Sequence, residues 1–155
     1  MSAEERVRQL GLVLPPAPRP VGNYVGWVQT GTLLFMSGCG PRLADGSAIT
    51  GKLGADLTLE QGYEAARVVG LNMLVNIRAA LGSLDRVEQV VKVLGMVNAD
   101  PAFSKTPAVI DGFSDLLVEV FGDKAGKGAR SAVGFVTLPS QIAVEVEMIL
   151  QVSAT

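Results

Sequence analysis

The 155-residue chain carries 13 Lys and Arg against 15 Asp and Glu, and this charge of −2 with a pI near 5.1 argues against a broad electrostatic grip on nucleic acid. Apolar residues make up 48% and charged residues 18%, which describes one domain with a real core and a thinly charged surface suited to an oligomer interface. With no histidine and one cysteine, Cys39, the usual neutral-pH base, a zinc cluster and an intrachain disulfide are all excluded, so acid–base work falls to Glu, Asp, Tyr, Lys or water.

The N-terminal stretch Ser2 to Leu14 predicts a short amphipathic helix, with Ser2 as N-cap and Glu5 three positions on. Its charged Glu4, Glu5, Arg6 and Arg8 do not fit a signal peptide, and no later run is apolar and long enough to span a membrane. A cytoplasmic protein is expected. The prolines of residues 15–20 fix φ and remove donors, so this segment is an extended connector into a core of residues 21–155, the whole chain forming a single domain.

Asn23 to Ser37 holds two strand-like runs around Thr30-Gly31, a hairpin with Tyr24 opening its first strand and Ser37-Gly38 closing its second. The glycine-rich loop that follows lacks a dinucleotide-binding spacing. Thr58 with Gln61 forms a capping box, and Gly82 stops a helix over residues 59–81. Val68, Leu71 and Val75 widen its apolar stripe beyond what one sheet covers, a surplus assigned to a neighbouring copy.

Residues 86–98 are nearly continuous in apolar side chains and predict a central strand. A second helix is expected over residues 106–121, with Pro107 in its first turn and Asp111 and Asp115 on one face, and then a loop over residues 122–128. The last two strand-like runs, residues 128–139 and 142–152, flank Pro139-Ser140-Gln141 and read as an antiparallel hairpin.

In that hairpin Val133 and Phe135 take the core face with Val144, Val146, Met148 and Leu150. Arg130, Ala132 and Gly134 then share the other face with Glu145 and Glu147. The register puts Arg130 roughly 13–20 Å from Glu145 at about 3.3 Å per residue, too far for one small ligand within one chain. A surface ion pair between Arg130 and Glu147 is the plain reading, and a site using both Arg130 and Glu145 requires two subunits. The predicted fold is α+β, a two-layer sandwich with a mixed sheet of five to six strands, two helices on one face, and the short N-terminal helix.

Ala129-Arg130-Ser131, Leu138-Pro139 and Val144-Glu145-Val146-Glu147, together with Leu34 to Gly38, resemble the signature of the Rid proteins, the reactive intermediate deaminases also called the YjgF family. Asn23-Tyr24, residues 51–63 and residues 81–87 are similar to its longer, YjgH-like branch, often labelled endoribonuclease L-PSP. The resemblance implies a chorismate-mutase-like fold, a homotrimer with sites in the clefts between subunits, and hydrolysis of 2-imino or 2-enamino acids to 2-oxo acids and ammonia without a cofactor or metal. It places the carboxylate-binding arginine at Arg130 and the acid that handles water at Glu145. The other pocket residues fall on Tyr24, Ser37, Gly38, Asp111 and Ala132, the last two departing from the asparagine and cysteine usual in the family. A carboxylate-binding trimer without catalysis is the rival reading, and an RNA-cleaving enzyme the third, disfavoured by the acidic pI and absent histidine.

Overall fold

The computed structural model describes residues 1–17, 19 and 22–154, so Pro18, Pro20 and Val21 of the predicted connector, and Thr155, lie outside the described residues. Helix α1, Ala3–Gln9, begins with the Ser2–Glu5 capping box; it ends before Leu14, at Leu10 and Gly11, whose φ of +63° suits glycine. The strands are β1, Trp27–Thr30; β2, Leu33–Cys39; β3, Val87–Asn98; β4, Ala129–Phe135; and β5, Val144–Val152. Helix α2, Leu59–Leu81, lies between β2 and β3, and α3, Thr106–Gly126, between β3 and β4.

Both halves of the Thr58–Gln61 capping box form, and Gly82 closes α2 in the left-handed region at φ 82°. Helix α3 does not stop at residue 121 as the sequence predicts. Gly122, at φ 87°, breaks it, and a further turn continues to Gly126 where a loop was expected. A Cβ at residue 122 would meet the Arg6 guanidinium, and Arg6 donates to the Val120 carbonyl at 3.4 Å, so α1 docks at this break.

The sheet runs β1-β2-β5-β3-β4, antiparallel throughout except for the parallel pair β3 and β4. Residues 128–152 are therefore not a hairpin, because β3 stands between β4 and β5. Strand β3, helix α3 and strand β4 form a β-α-β crossover, which places β4 parallel to β3 at the sheet edge. The chain then passes over the end of β3: the Ala99 N–H donates to the Phe135 carbonyl, and the Asn98 N–H donates to the Ala143 carbonyl. Pro139–Gln141 is one irregular turn of that passage, with Ser140 and Gln141 at φ 54° and 58°.

This topology also reverses the predicted faces of β4. Parallel partners share a face, so Arg130, Ala132 and Gly134 lie with Val93, Gly95 and Val97 on the helix side; Val133 and Phe135, each 41% exposed, lie on the open face. Strand β5 faces as predicted, with Val144, Val146, Met148 and Leu150 buried. Glu145 and Glu147 thus stand on the face opposite Arg130, and Arg130 pairs with Asp111 rather than Glu147.

The core lies between the sheet and the two long helices, with Phe113, Met73, Leu74, Ile77, Ile110 and Leu116 essentially fully buried. Helix α2 packs on α3 where Gly70 leaves room for Leu116 and Gly112 lies against the Tyr63 backbone; of the surplus stripe, Val75 is buried in the chain while Val68 and Leu71 stay half-buried. The open face keeps Val28, Phe35, Val133 and Phe135 exposed. No helix among the described residues is long and apolar enough to cross a membrane.

Candidate active site

Strand β1 ends its pairing at Trp27 opposite Met36, so the last residues of β2 pass beyond it. There β2 bulges against β5: Met36 pairs with Met148 and Cys39 with Val146, giving β2 one residue more than its partner. Bulges re-aim side chains, and this one opens a cavity of about 400 Å³ at the sheet margin. Tyr24, Ser37, Gly38, Cys39, Arg42, Asn72, Asn76, Ser140, Ile142 and Glu145 are among its walls.

Four residues expected at the site, Tyr24, Ser37, Gly38 and Glu145, are brought together here. Tyr24 precedes β1 rather than opening it, and is 55% exposed. The Ser37 hydroxyl donates to the Val25 carbonyl at 2.6 Å and its N–H to Gly26 at 3.0 Å, so Ser37 pins the Tyr24 segment over the bulge. Gly38 lies against the Glu145 carboxylate, where any Cβ would overlap Oε1.

Glu145 is half-buried, and its carboxylate accepts no hydrogen bond among the described residues. Burial first, and the neighbouring charge of Glu147 second, raise its pKa above the ordinary 4.5. A carboxylate so placed is a stronger base than one in water, and its lone pairs are free for a water or a substrate proton.

Cys39 points toward the helices, where burial pushes its thiol up to about 12 despite the opposing charge of Arg42. It is therefore no nucleophile at neutral pH. Asn72, only 2% exposed, donates through Nδ2 to the carbonyls of Arg42, Val68 and Gly40, which fixes the loop leaving β2. Asn72, Asn76 and Arg42 escaped sequence reasoning. Two asparagines four apart in an otherwise apolar helix stripe were the available signal, since buried amides need partners.

The far wall is the passage over β3. Lys52 Nζ donates to Asn98 Oδ1 at 2.7 Å and to the Val136 carbonyl at 2.5 Å, and Asn98 Nδ2 reaches Gln141 at 3.4 Å. The ammonium of this lysine, which makes no ion pair among the described residues, ties the Pro139–Ser140 wall to the sheet.

The remaining three expected residues lie at the opposite edge, on β4 and α3. Arg130 Nη1 donates to Asp111 Oδ1 at 2.8 Å and to Ser114 Oγ at 3.1 Å. Its side chain is 27% exposed, and its Nε and Nη2 donors have no partner among the described residues. Ala132 packs toward the core, and its carbonyl accepts from Thr106. Arg130 and Glu145 are two strands and three register positions apart, on opposite faces, roughly 14 Å by strand geometry. Within one chain, Arg130 and Glu145 do not line the same cavity.

A family model described as "YjgF/chorismate_mutase-like, putative endoribonuclease" matches residues 4–148. The chain belongs to this family. Protein TCP17 of Trypanosoma cruzi is 43% identical over 147 residues, 95% of this chain and 92% of that protein. Among solved structures, a Shewanella oneidensis protein described as a "putative endoribonuclease" superposes with a TM-score of 0.93 at 33% identity, covering 98% of this chain and all of that one. The Agrobacterium tumefaciens protein Atu1372, described as of unknown function, gives 0.88 at 35% identity, over 97% and 94% of the two chains. The three-helix, five-stranded α+β architecture is that of the YjgF-family fold.

Proposed function

We propose that this YjgF-family chain hydrolyses small 2-imino acids, or their enamine tautomers, to 2-oxo acids and ammonia, at sites completed between subunits of a homotrimer. The observation that carries the reading is the division of the site: Glu145 waits unpartnered in one cavity, while the Arg130 guanidinium keeps a free edge at the other side of the sheet. The exposed apolar residues of the open face supply a surface for assembly.

In the assembled site Arg130 Nε and Nη2 hold the substrate carboxylate by two parallel hydrogen bonds, with Nη1 already oriented by Asp111 and Ser114. Asp111, unusual for the family, then acts through Arg130, and its charge is balanced by that guanidinium instead of opposing the substrate. Glu145 of the adjoining cavity accepts a proton from water as the water oxygen adds to the imine carbon. The proton passes to nitrogen, the C–N bond breaks, ammonia leaves, and the C=O forms. No electron changes hands and no cofactor enters. Because an imine is intrinsically labile, orientation of carboxylate and water supplies most of the acceleration.

The test is ammonia release from imines generated in place by an amino-acid oxidase. Wild type is expected to accelerate it, with both Arg130→Ala and Glu145→Gln losing at least tenfold in kcat/KM. Acceleration unchanged in Glu145→Gln defeats the mechanism. No acceleration by wild type, with a 2-oxo acid still bound by both wild type and Glu145→Gln, would establish a binding trimer instead.

A further inference from the structure

The cavity around Glu145 carries more cationic character than a small monocarboxylate uses. Its charged walls among the described residues are Arg19, Arg42 and Glu145. The main chain of Arg42 is fixed: it bridges to Ala48, its N–H donates to Gly40, and its carbonyl accepts from the buried Asn72. Its guanidinium, by contrast, makes no ion pair or hydrogen bond among the described residues.

There is also room. A second cavity of about 400 Å³ shares Arg19, Arg42 and Gly46 with the first, so the cleft continues past Arg42 toward Pro15 and Pro16. The volume around Glu145 alone falls in the roughly 300–1,000 Å³ range of ordinary ligand pockets, well above the need of a three- or four-carbon acid and its water. Arg42 and Glu145 line the same cavity, with the buried Cys39 also in its wall.

We propose that Arg42 makes this pocket selective for dianions, so that the substrate is a 2-imino dicarboxylic acid whose side-chain carboxylate is held by Arg42. The proposal rests on the two-subunit site proposed above; the binding preference does not require that the site turn its ligand over. With Arg130 taking the carboxylate next to the imine carbon, a second unpaired guanidinium on a fixed main chain is the group that selects for a second anion, and guanidinium geometry favours a carboxylate. Atoms balance as before: 2-imino dicarboxylate and water give 2-oxo dicarboxylate and ammonia.

Two measurements separate this proposal from the reading it rests on. In calorimetric titration, wild type is expected to bind 2-oxoglutarate at least tenfold more tightly than 2-oxobutyrate, with Arg42→Gln bringing the ratio near one. In the coupled assay, the kcat/KM ratio between glutamate-derived and 2-aminobutyrate-derived imines should collapse in the same variant. Equal affinity of wild type for the two oxo acids, or a preference that survives Arg42→Gln, overturns the proposal. A binding preference that Arg42→Gln removes, with neither imine accelerated by wild type, leaves Arg42 assigned and removes the deaminase reading alone.

Discussion

Gly38 and Glu145 are in contact across the β2 bulge, the glycine hydrogen occupying the space that any side chain at residue 38 would share with the Glu145 carboxylate. Because the overlapping atom is the end of a flexible side chain, Gly38→Ala should leave the fold intact and turn Glu145 away. The expected result is a loss of tenfold or more in kcat/KM with a thermal midpoint within a few degrees of wild type. Full activity in Gly38→Ala would show that Glu145 acts from another rotamer.

Glu145 also links the site to pH. Its folded-state pKa is raised by burial and then by Glu147, so the folded chain binds this proton more tightly than the unfolded chain does. Its contribution to stability is full below the unfolded value near 4.5 and is lost as pH rises through the raised folded value. Glu145→Gln should therefore unfold at a higher temperature than wild type at pH 7, with the difference disappearing near pH 3. A Glu145→Gln variant less stable at pH 7 would mean the carboxylate has a partner in solution.

Helices α2 and α3 approach closely at Gly112. A Cβ on Gly112 would overlap the Tyr63 carbonyl oxygen, a backbone atom that cannot swing aside as a side chain can. Gly112→Ala is expected to cost about 3 kcal/mol or more by overpacking, read as a lower denaturation midpoint at unchanged m-value. An effect under about 1 kcal/mol would show that α2 and α3 slide easily.

Cys39 supplies a check on the site's interior. With its thiol raised to about 12 by burial, it should react with a thiol reagent at pH 7 only as fast as the chain opens, and at once in denaturant. Rapid labelling of the native protein would place the thiol in the solvent-filled part of the cavity.

Local chemistry made much of the fold legible. The capping boxes at Ser2 and Thr58 and the glycine at residue 82 mark helix ends by hydrogen bonds made within a few residues, which a single chain displays openly. Of the seven site residues that the family resemblance implies, Tyr24, Ser37, Gly38 and Glu145 line one cavity, whereas Arg130, Asp111 and Ala132 lie on α3 and β4.

The position of β4 was not legible from the turn. Leu138 to Gln141 has the composition of a hairpin turn, but the connection from Phe135 to Val144 is long enough to cross one strand, and β3 fills that place. Strand pairing is non-local, whereas turn signals are local. The better guide was the succession of strand, helix and strand over residues 87–135, which favours a parallel crossover. Misplacing β4 turned Arg130 to the wrong face and hid its partner Asp111, since a one-position change of facing exchanges every side chain. Arg42 and Asn72 were missed because their meeting depends on a loop folding back onto α2.

Complementation between two inactive variants tests the shared site most directly. Arg130→Ala and Glu145→Gln chains, unfolded together in equal amounts and refolded, assort at random in a cyclic oligomer. About a quarter of the interfaces then pair an intact Arg130 with an intact Glu145 from the next copy. Recovery of about a quarter of wild-type ammonia release, from two preparations that are each inactive alone, is the predicted result. No recovery from a mixture shown to contain mixed oligomers would contradict a site built from two chains.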